Sequence, residues 1–308
     1  MLIDMLISRT ITRRAFAMAG ALLLFVLVLV ARPTSAADEP VWPPITDPPT
    51  AKYVPGKWVW EELFTEHAAL AADFYGKLFG WTFQVLPAGR GPAYTLALSD
   101  GEPVGGMIER DHRYEQQQGS RWLGMISVPD VKAAASYAAK QGGKVIVAPR
   151  VLAGRGEVAL LTDPEGTPFG VMRSASGDPP DFLAEDGQWV WFELWAKDPG
   201  AMTTFYAGLA GYEIESMPRP DGRPGYALSS GGFLRCGIVA SPSSSVASAW
   251  LPYVRVSDVK AATARAAQSG GRIVLDPSPE VREGRVGLIM DPTGAPVGLV
   301  QLPVEDTR

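Results

Sequence analysis

The sequence predicts an α+β protein of two tandem domains, each using a strand–helix–three-strand module twice. Three observations carry that prediction. The chain writes Trp58-Val59-Trp60-Glu61-Glu62-Leu63 and then Trp189-Val190-Trp191-Phe192-Glu193-Leu194, 131 residues apart, and the offset holds from there to Gly80-Trp81 and Gly211-Tyr212. Asp163-Pro164-Glu165-Gly166 returns as Asp291-Pro292-Thr293-Gly294 at an offset of 128. A repeat this long marks a duplicated domain. Within each copy, a helical period and short alternating strands then follow one another twice.

The first strand opens each copy. A helix of about three turns follows, with Ala71, Phe74, Tyr75 and Leu78 at i, i+3, i+4 and i+7, matched by Met202, Phe205, Tyr206 and Leu209. Asp198-Pro199 supplies an N-cap and a first-turn proline. His67 takes that place in the first copy, as a solvated or weakly capping residue. Strands are expected at about 81–87, 93–98 and 103–109. The module then restarts at Trp122 to Val128, with Asp130 capping a helix that Gly142-Gly143 ends. Strands near 144–148, 156–162 and 168–173 complete the copy. The second copy repeats these marks at Trp250 to Val256, Asp258 and Gly270-Gly271.

The expected organisation is an export signal or anchor over 1–37, a Pro-rich spacer over 38–56, a first domain over 57–174, a linker over 175–187 and a second domain over 188–303. The linker is a cluster of small, polar and breaker residues without apolar period. In the first segment Arg13-Arg14-Ala15-Phe16 precedes an apolar run from Ala15 to Ala31, and Thr34-Ser35-Ala36-Ala37 offers a cleavage site. The arginine pair resembles a twin-arginine export signal. The expectation is a periplasmic or extracellular protein; if uncleaved, residues 15–31 form a short membrane anchor.

Net charge is −5, and −8 once residues 1–37, with Arg9, Arg13, Arg14, Arg32 and Asp4, are set aside. An acidic chain without a basic stripe argues against nucleic acid as a partner and against membrane contact except through the N-terminal segment. One cysteine, Cys236, and two histidines, His67 and His112, exclude an intramolecular disulfide and leave little for zinc chemistry. Cys236 beside Gly237 is read as core packing.

Alternation along the repeated strand puts Val190, Phe192 and Leu194 on one face, with Trp189, Trp191 and Glu193 on the other. A carboxylate held between aromatics in both copies suggests a cleft. The alternative is a seam, where Glu62 and Glu193 pair with arginine or backbone groups. The candidate ligand-binding residues are Trp60, Glu62, Tyr94 and Trp122 in the first copy, and Trp191, Glu193, Tyr226 and Trp250 in the second. The loops 110–120 and 241–249 are candidate lids or plain connections.

The motifs W-x-E-L, F-Y-x-x-L-x-G-W/Y, V-x-D-V-K-A-A, the Gly-Gly pair and D-P-x-G-x-P-x-G resemble, in this order, the vicinal oxygen chelate superfamily. That superfamily includes glyoxalase I, bleomycin-resistance proteins and extradiol dioxygenases. The resemblance covers nearly all of 58–174 and 189–303, and it implies paired βαβββ modules forming a curled mixed sheet around one cleft per domain. It also implies metal ligands at positions that here hold Trp60, Trp191, the pairs Trp122-Leu123 and Trp250-Leu251, Gly170 and Gly298. None supplies a side-chain ligand, so no metal or other cofactor is expected, unless Glu62, Glu193 and Glu109 build a non-standard oxygen site.

Three functions fit this reading. The first is binding or sequestering a small molecule in Trp/Glu-lined clefts. The second is a lyase or oxygenase-type enzyme that is metal-free or uses a non-standard metal site. The third is a protein-interaction module.

Overall fold

The computed structural model describes residues 41–86, 94–110, 119–217 and 222–303. The expected export segment, the first residues of the spacer and most of the loop 110–120 lie outside them. No helix among the described residues is long and apolar enough to cross a membrane.

The first domain runs β1 (Trp58–Thr65), α1 (Ala68–Phe79), β2 (Thr82–Leu86), β3 (Tyr94–Ser99) and β4 (Glu102–Glu109). It continues with β5 (Arg121–Ser127), α2 (Val131–Lys140), β6 (Lys144–Leu152), β7 (Gly156–Thr162) and β8 (Pro168–Ser174). These strands form one sheet in the order β2-β3-β4-β1-β5-β8-β7-β6. The second domain repeats the order with β9 (Trp189–Ala196), α3 (Pro199–Ala210), β10 (Glu213–Ser216), β11 (Gly225–Ser230) and β12 (Phe233–Ala240). Its second half is β13 (Ala249–Arg255), α4 (Val259–Gln268), β14 (Arg272–Leu275), β15 (Val286–Met290) and β16 (Pro296–Val300). This is an α+β protein of two tandem domains, each a curled mixed sheet.

Each first strand lies centrally, parallel to the last strand of its own module and antiparallel to the first strand of the next. Local chemistry fixes the helices. The carboxylates of Asp130, Asp198 and Asp258 accept amide hydrogen bonds from the first turns of α2, α3 and α4. Gly80 and Gly211 end α1 and α3 at φ 76° and 73°, in the left-handed region glycine occupies without a Cβ clash. The buried face of α1 is Ala71, Phe74, Tyr75 and Leu78, as the period requires.

The helix-bearing faces of the two sheets meet. One core joins α2 and β7–β8 to α3 and the β9–β12 sheet; the other joins α1 to α4 and β15–β16. Each domain thus lends its first helix to the other's second module. On the opposite faces lie two separate apolar clusters, one per domain, which line the clefts.

The proline-rich stretch is more than a spacer. Ile45 and Thr46 are buried, and Thr46 donates from its amide to the Ser176 hydroxyl and from its hydroxyl to the Ser176 carbonyl. Farther on, Asp178 accepts from the Val54 amide at 2.6 Å and the Ser127 hydroxyl at 2.7 Å. Prolines lack a backbone N–H and favour an extended chain, yet the residues between them find donors and acceptors on the linker. Lys57 and Arg235 both bind Asp181, Lys57 at 2.8 Å, and so tie first domain, linker and second domain together.

Candidate functional site

A β-bulge decides what each cleft sees. Pairing of β1 with β5 slips at Val59, and pairing of β9 with β13 slips at Val190. A bulge places two residues opposite one and resets the faces beyond it. Trp60, Glu62 and Phe64 therefore share the cleft face of β1, and Trp191, Glu193 and Trp195 that of β9. Trp58 and Trp189 fall to the helix side, against the sequence expectation for Trp189. Its indole donates to the Val104 carbonyl at 2.7 Å, between the domains.

In the first cleft Glu62 Oε2 accepts from Trp60 Nε1 at 3.1 Å and faces Arg155 Nη1 at 3.9 Å. Arg155 is almost wholly buried. Its guanidinium lies 4.2 Å over the Trp60 ring and donates to the Tyr94 hydroxyl at 2.9 Å. Burial pushes the Glu62 carboxyl up to about 7, with Arg155, Tyr94 and Trp60 each opposing that rise. Gly106 is glycine because a Cβ there would sit 1.9 Å from the Tyr94 hydroxyl oxygen. The cleft is covered from within the chain: Arg155 Nε donates to the Pro43 carbonyl at 2.7 Å, and Trp42 packs edge-on to Tyr94 at 4.9 Å.

In the second cleft Glu193 is fully buried. It accepts from Trp195 Nε1 at 3.0 Å and the Tyr253 hydroxyl at 3.3 Å, and it pairs with Arg282 Nη2 at 2.6 Å. Arg282 and Glu283 hold φ of 45° and 57°, a left-handed backbone that costs non-glycine residues on the order of 1–3 kcal/mol each. Trp191 lies over Gly237, half-buried, and its buried Nε1 has no hydrogen-bond partner among the described residues.

Three predicted cleft residues are not in a cleft. Trp122 donates to Tyr75 at 2.8 Å, and Tyr75 to Asp291 at 2.9 Å. Trp250 donates to Tyr206 at 2.8 Å, and Tyr206 to Asp163 at 3.1 Å. These are matched chains across the domain interface, from one domain's helix to the other's Asp-Pro turn. The reason is alternation: Leu123 and Leu251 take the cleft face of β5 and β13, so the tryptophans beside them cannot. Tyr226 packs against the interdomain core rather than the second cleft. Tyr94 pairs with Ile108 but Tyr226 with Ile238, whereas the counterpart of Ile108 is Val239, which pairs with Gly225. The tyrosines are one residue out of register, and a one-residue slip reverses the face.

Arg155, Arg282, Trp195 and Tyr253 were missed. Trp195 and Tyr253 were recoverable from alternation, two residues beyond Glu193 and Leu251. The arginines had one signal, Gly154-Arg155-Gly156 and Arg282-Glu283-Gly284 in the same hairpin of each copy, which only contact geometry makes meaningful.

The ligand positions that the family resemblance implies can be tested on the cleft walls. A Cβ on Gly170 would meet Met125 Sδ at 2.0 Å, and one on Gly298 would meet Tyr253 Cδ1 at 2.2 Å. The space of a ligating carboxylate is thus filled by a thioether and a phenol. Trp60, Trp191, Leu123 and Leu251 offer no metal-binding lone pair. Glu109 does not join Glu62, and no group of three His, Cys, Asp or Glu side chains among the described residues is placed to hold an ion. The described residues of both clefts do not fit a divalent metal.

Two paired-module domains, each with a curled sheet around a cleft, define a tandem glyoxalase-like protein. Residues 58–171 match the Glyoxalase/Bleomycin resistance protein/Dioxygenase superfamily, and 189–300 the Glyoxalase-like domain. The chain belongs to this vicinal oxygen chelate superfamily. It is 28% identical over 249 residues to "Putative glyoxylase CFP32" of Mycobacterium tuberculosis, covering 80% of this chain and 95% of that one. It is 27% identical over 270 residues to the anthracycline biosynthesis protein DnrV of Streptomyces peucetius, covering 82% and 95%. A similar solved fold is the Mn(II)-bound glyoxalase of Novosphingobium aromaticivorans, with TM-score 0.52, 14% identity, and coverage of 80% of this chain and 83% of that one.

Proposed function

We propose that this protein binds a small, partly aromatic molecule in its second cleft without a metal. The observation that carries the reading is Trp191: a half-buried ring whose buried N–H lacks a partner among the described residues, beside a carboxylate already held by three donors. Leaving a buried donor unpaired costs about 1–3 kcal/mol, which a ligand acceptor would recover. Val190, Val274, Leu275 and Leu302 add an apolar, incompletely covered wall. The relative named for anthracycline biosynthesis supports a planar aromatic ligand. Binding is favoured over acid–base catalysis because Glu193 is engaged by its neighbours and Glu62 lies under Arg155 and residue 43.

Titration of a polycyclic quinone panel by calorimetry, with and without chelator, tests this. Trp191→Ala should weaken binding at least tenfold, by loss of stacking and one hydrogen bond, with a small change in melting temperature. A binding site unaffected by Trp191→Ala, or one abolished by chelator, would falsify the reading.

A further inference from the structure

The first cleft is closed by a segment that belongs to neither of its modules. Residues 42–46 precede β1, form no strand or helix, and lie against Arg155 and Tyr94. They make three kinds of contact. The Trp42 ring stands edge-on to Tyr94, and the Pro43 carbonyl accepts from Arg155 Nε at 2.7 Å. Ile45 is buried in the apolar cluster of the cleft, against which Trp42 also packs. A ring, an acceptor and an apolar side chain are what a bound small molecule presents to such a wall. The space in question is the one that Trp42 and Ile45 themselves fill.

The segment is fastened at its ends. Trp42 donates its amide to the Ala153 carbonyl at 2.8 Å, and Thr46 bonds to Ser176 at 3.2 and 3.1 Å. Pro43 and Pro44, between these points, have no N–H to give. The middle is therefore held by the burial of Ile45 and by the Arg155 bond. The fold does not demand this cover, because the second domain repeats the same strand order without it. The stretch before β9 is bonded to residues 46–54 and to Arg255, and it adds no side chain to the apolar cluster of the second cleft. Departure of the segment would leave Arg155 Nε, a donor of fixed direction, open to another acceptor.

We propose that residues 42–46 are a displaceable stopper of the first cleft. The segment leaves while both domains stay folded, and the place it vacates takes a small molecule with an aromatic ring and a carbonyl group. This site is distinct from the second cleft, and the inference is independent of the ligand proposed there.

Native-state hydrogen exchange of the full chain tests the first half. The amides of Trp42 and Thr46 should exchange at least about tenfold faster than those of Trp60 to Leu63, through an opening insensitive to low urea. Exchange of both sets at one rate, through a single urea-dependent opening, overturns the proposal, because the segment then leaves only when the domain unfolds. Calorimetry reads the second half, with acetyl-Trp-Pro-amide, which carries the ring of residue 42 and the carbonyl of residue 43. Acetyl-Ala-Pro-amide, without the ring, is the control. All titrations use the Trp191→Ala background, so that the second cleft does not contribute. Ile45→Asp puts a charge where the side chain is 3% exposed, and should expel the segment. It should bind acetyl-Trp-Pro-amide saturably, at least about tenfold more tightly than the background chain, whose own tethered segment competes for the site. The control should show no saturable binding. Equal binding by the two chains, binding by neither, or equal binding of the two compounds overturns the proposal. Ile45→Ser, a milder change, takes the same place with the same outcomes if the aspartate variant does not fold.

Discussion

The two clefts place a carboxylate at the same point of the same strand and neutralise it differently. In the first, Glu62 meets a guanidinium 3.9 Å away that is itself sandwiched on Trp60 and covered by residues 42–45. In the second, Glu193 has a 2.6 Å ion pair and two further donors. The sheet register fixes where the carboxylate sits, whereas the hairpin after β6 or β14 fixes what answers it. Glycines flank Arg155 with φ of 84° and 120°, but the second hairpin brings Arg282 in at a positive φ of its own. The same electrostatic demand is met once by permissive backbone and once by a strained one.

The sharpest way to break the comparison is to remove each arginine. Arg282→Met should destabilise by roughly 3–5 kcal/mol, because it removes one partner of a buried ion pair and leaves fully buried Glu193 without it. Arg155→Met should cost less, because Glu62 already sits near 7 and can take a proton instead. Urea denaturation of both variants at pH 7 measures the difference. Equal losses would mean that the two carboxylates are held alike.

A second effect, on the order of a few kcal/mol at most, is the pH dependence that Glu62 contributes. Its folded pKa of about 7 exceeds the unfolded value near 4.5. The folded state therefore holds this proton more tightly. The resulting stabilisation is complete below about pH 4.5 and is lost as pH rises toward 7. Glu61 and Asp163 are shifted in the same direction, Asp163 to about 6. Glu62→Gln should therefore flatten only part of the decline, and should be more stable than the parent above pH 7. Chemical denaturation at pH 5, 6, 7 and 8 decides it; a parallel decline in parent and variant would remove Glu62 as a source.

Repetition made the architecture legible. Strand order, helix faces and caps all follow from period and from Asp, Gly and Pro at fixed places, and the family motifs agree with them. The cleft was legible only in part. Trp60, Glu62, Trp191 and Glu193 lie where alternation puts them, but Trp189 does not, because a bulge at Val190 is invisible in the letters. Trp122 and Trp250 misled because large aromatics suit a buried interface as well as a ligand wall. Glu61 shows the limit most plainly. Its counterpart is Phe192, and its carboxyl is buried without a hydrogen-bond partner among the described residues, its pKa raised well above the usual carboxylate value by burial and further by Glu62. No local pattern distinguishes it from the cleft-facing Glu beside it.

The smallest effect concerns the cover that, among the described residues, only the first cleft has. Trp42 contributes one edge-on contact with Tyr94, and an aromatic pair of this kind adds about 0.5–1.5 kcal/mol beyond area burial. Trp42→Ala keeps the backbone bond from residue 42 to the Ala153 carbonyl, and Pro43 still accepts from Arg155. The segment should therefore loosen locally rather than leave, with a melting temperature only slightly lower. The Gly154–Gly156 turn lies against this segment, since a Cβ at Gly154 would contact Val41 and the residue 42 carbonyl, so local loosening of the segment should be felt there. Hydrogen exchange should accelerate in the β6–β7 hairpin and stay unchanged in the β14–β15 hairpin, which lacks this cover. If exchange at 150–158 is the same in parent and Trp42→Ala, residues 42–45 do not close the first cleft. The difference between the domains would then lie in the arginine hairpins alone.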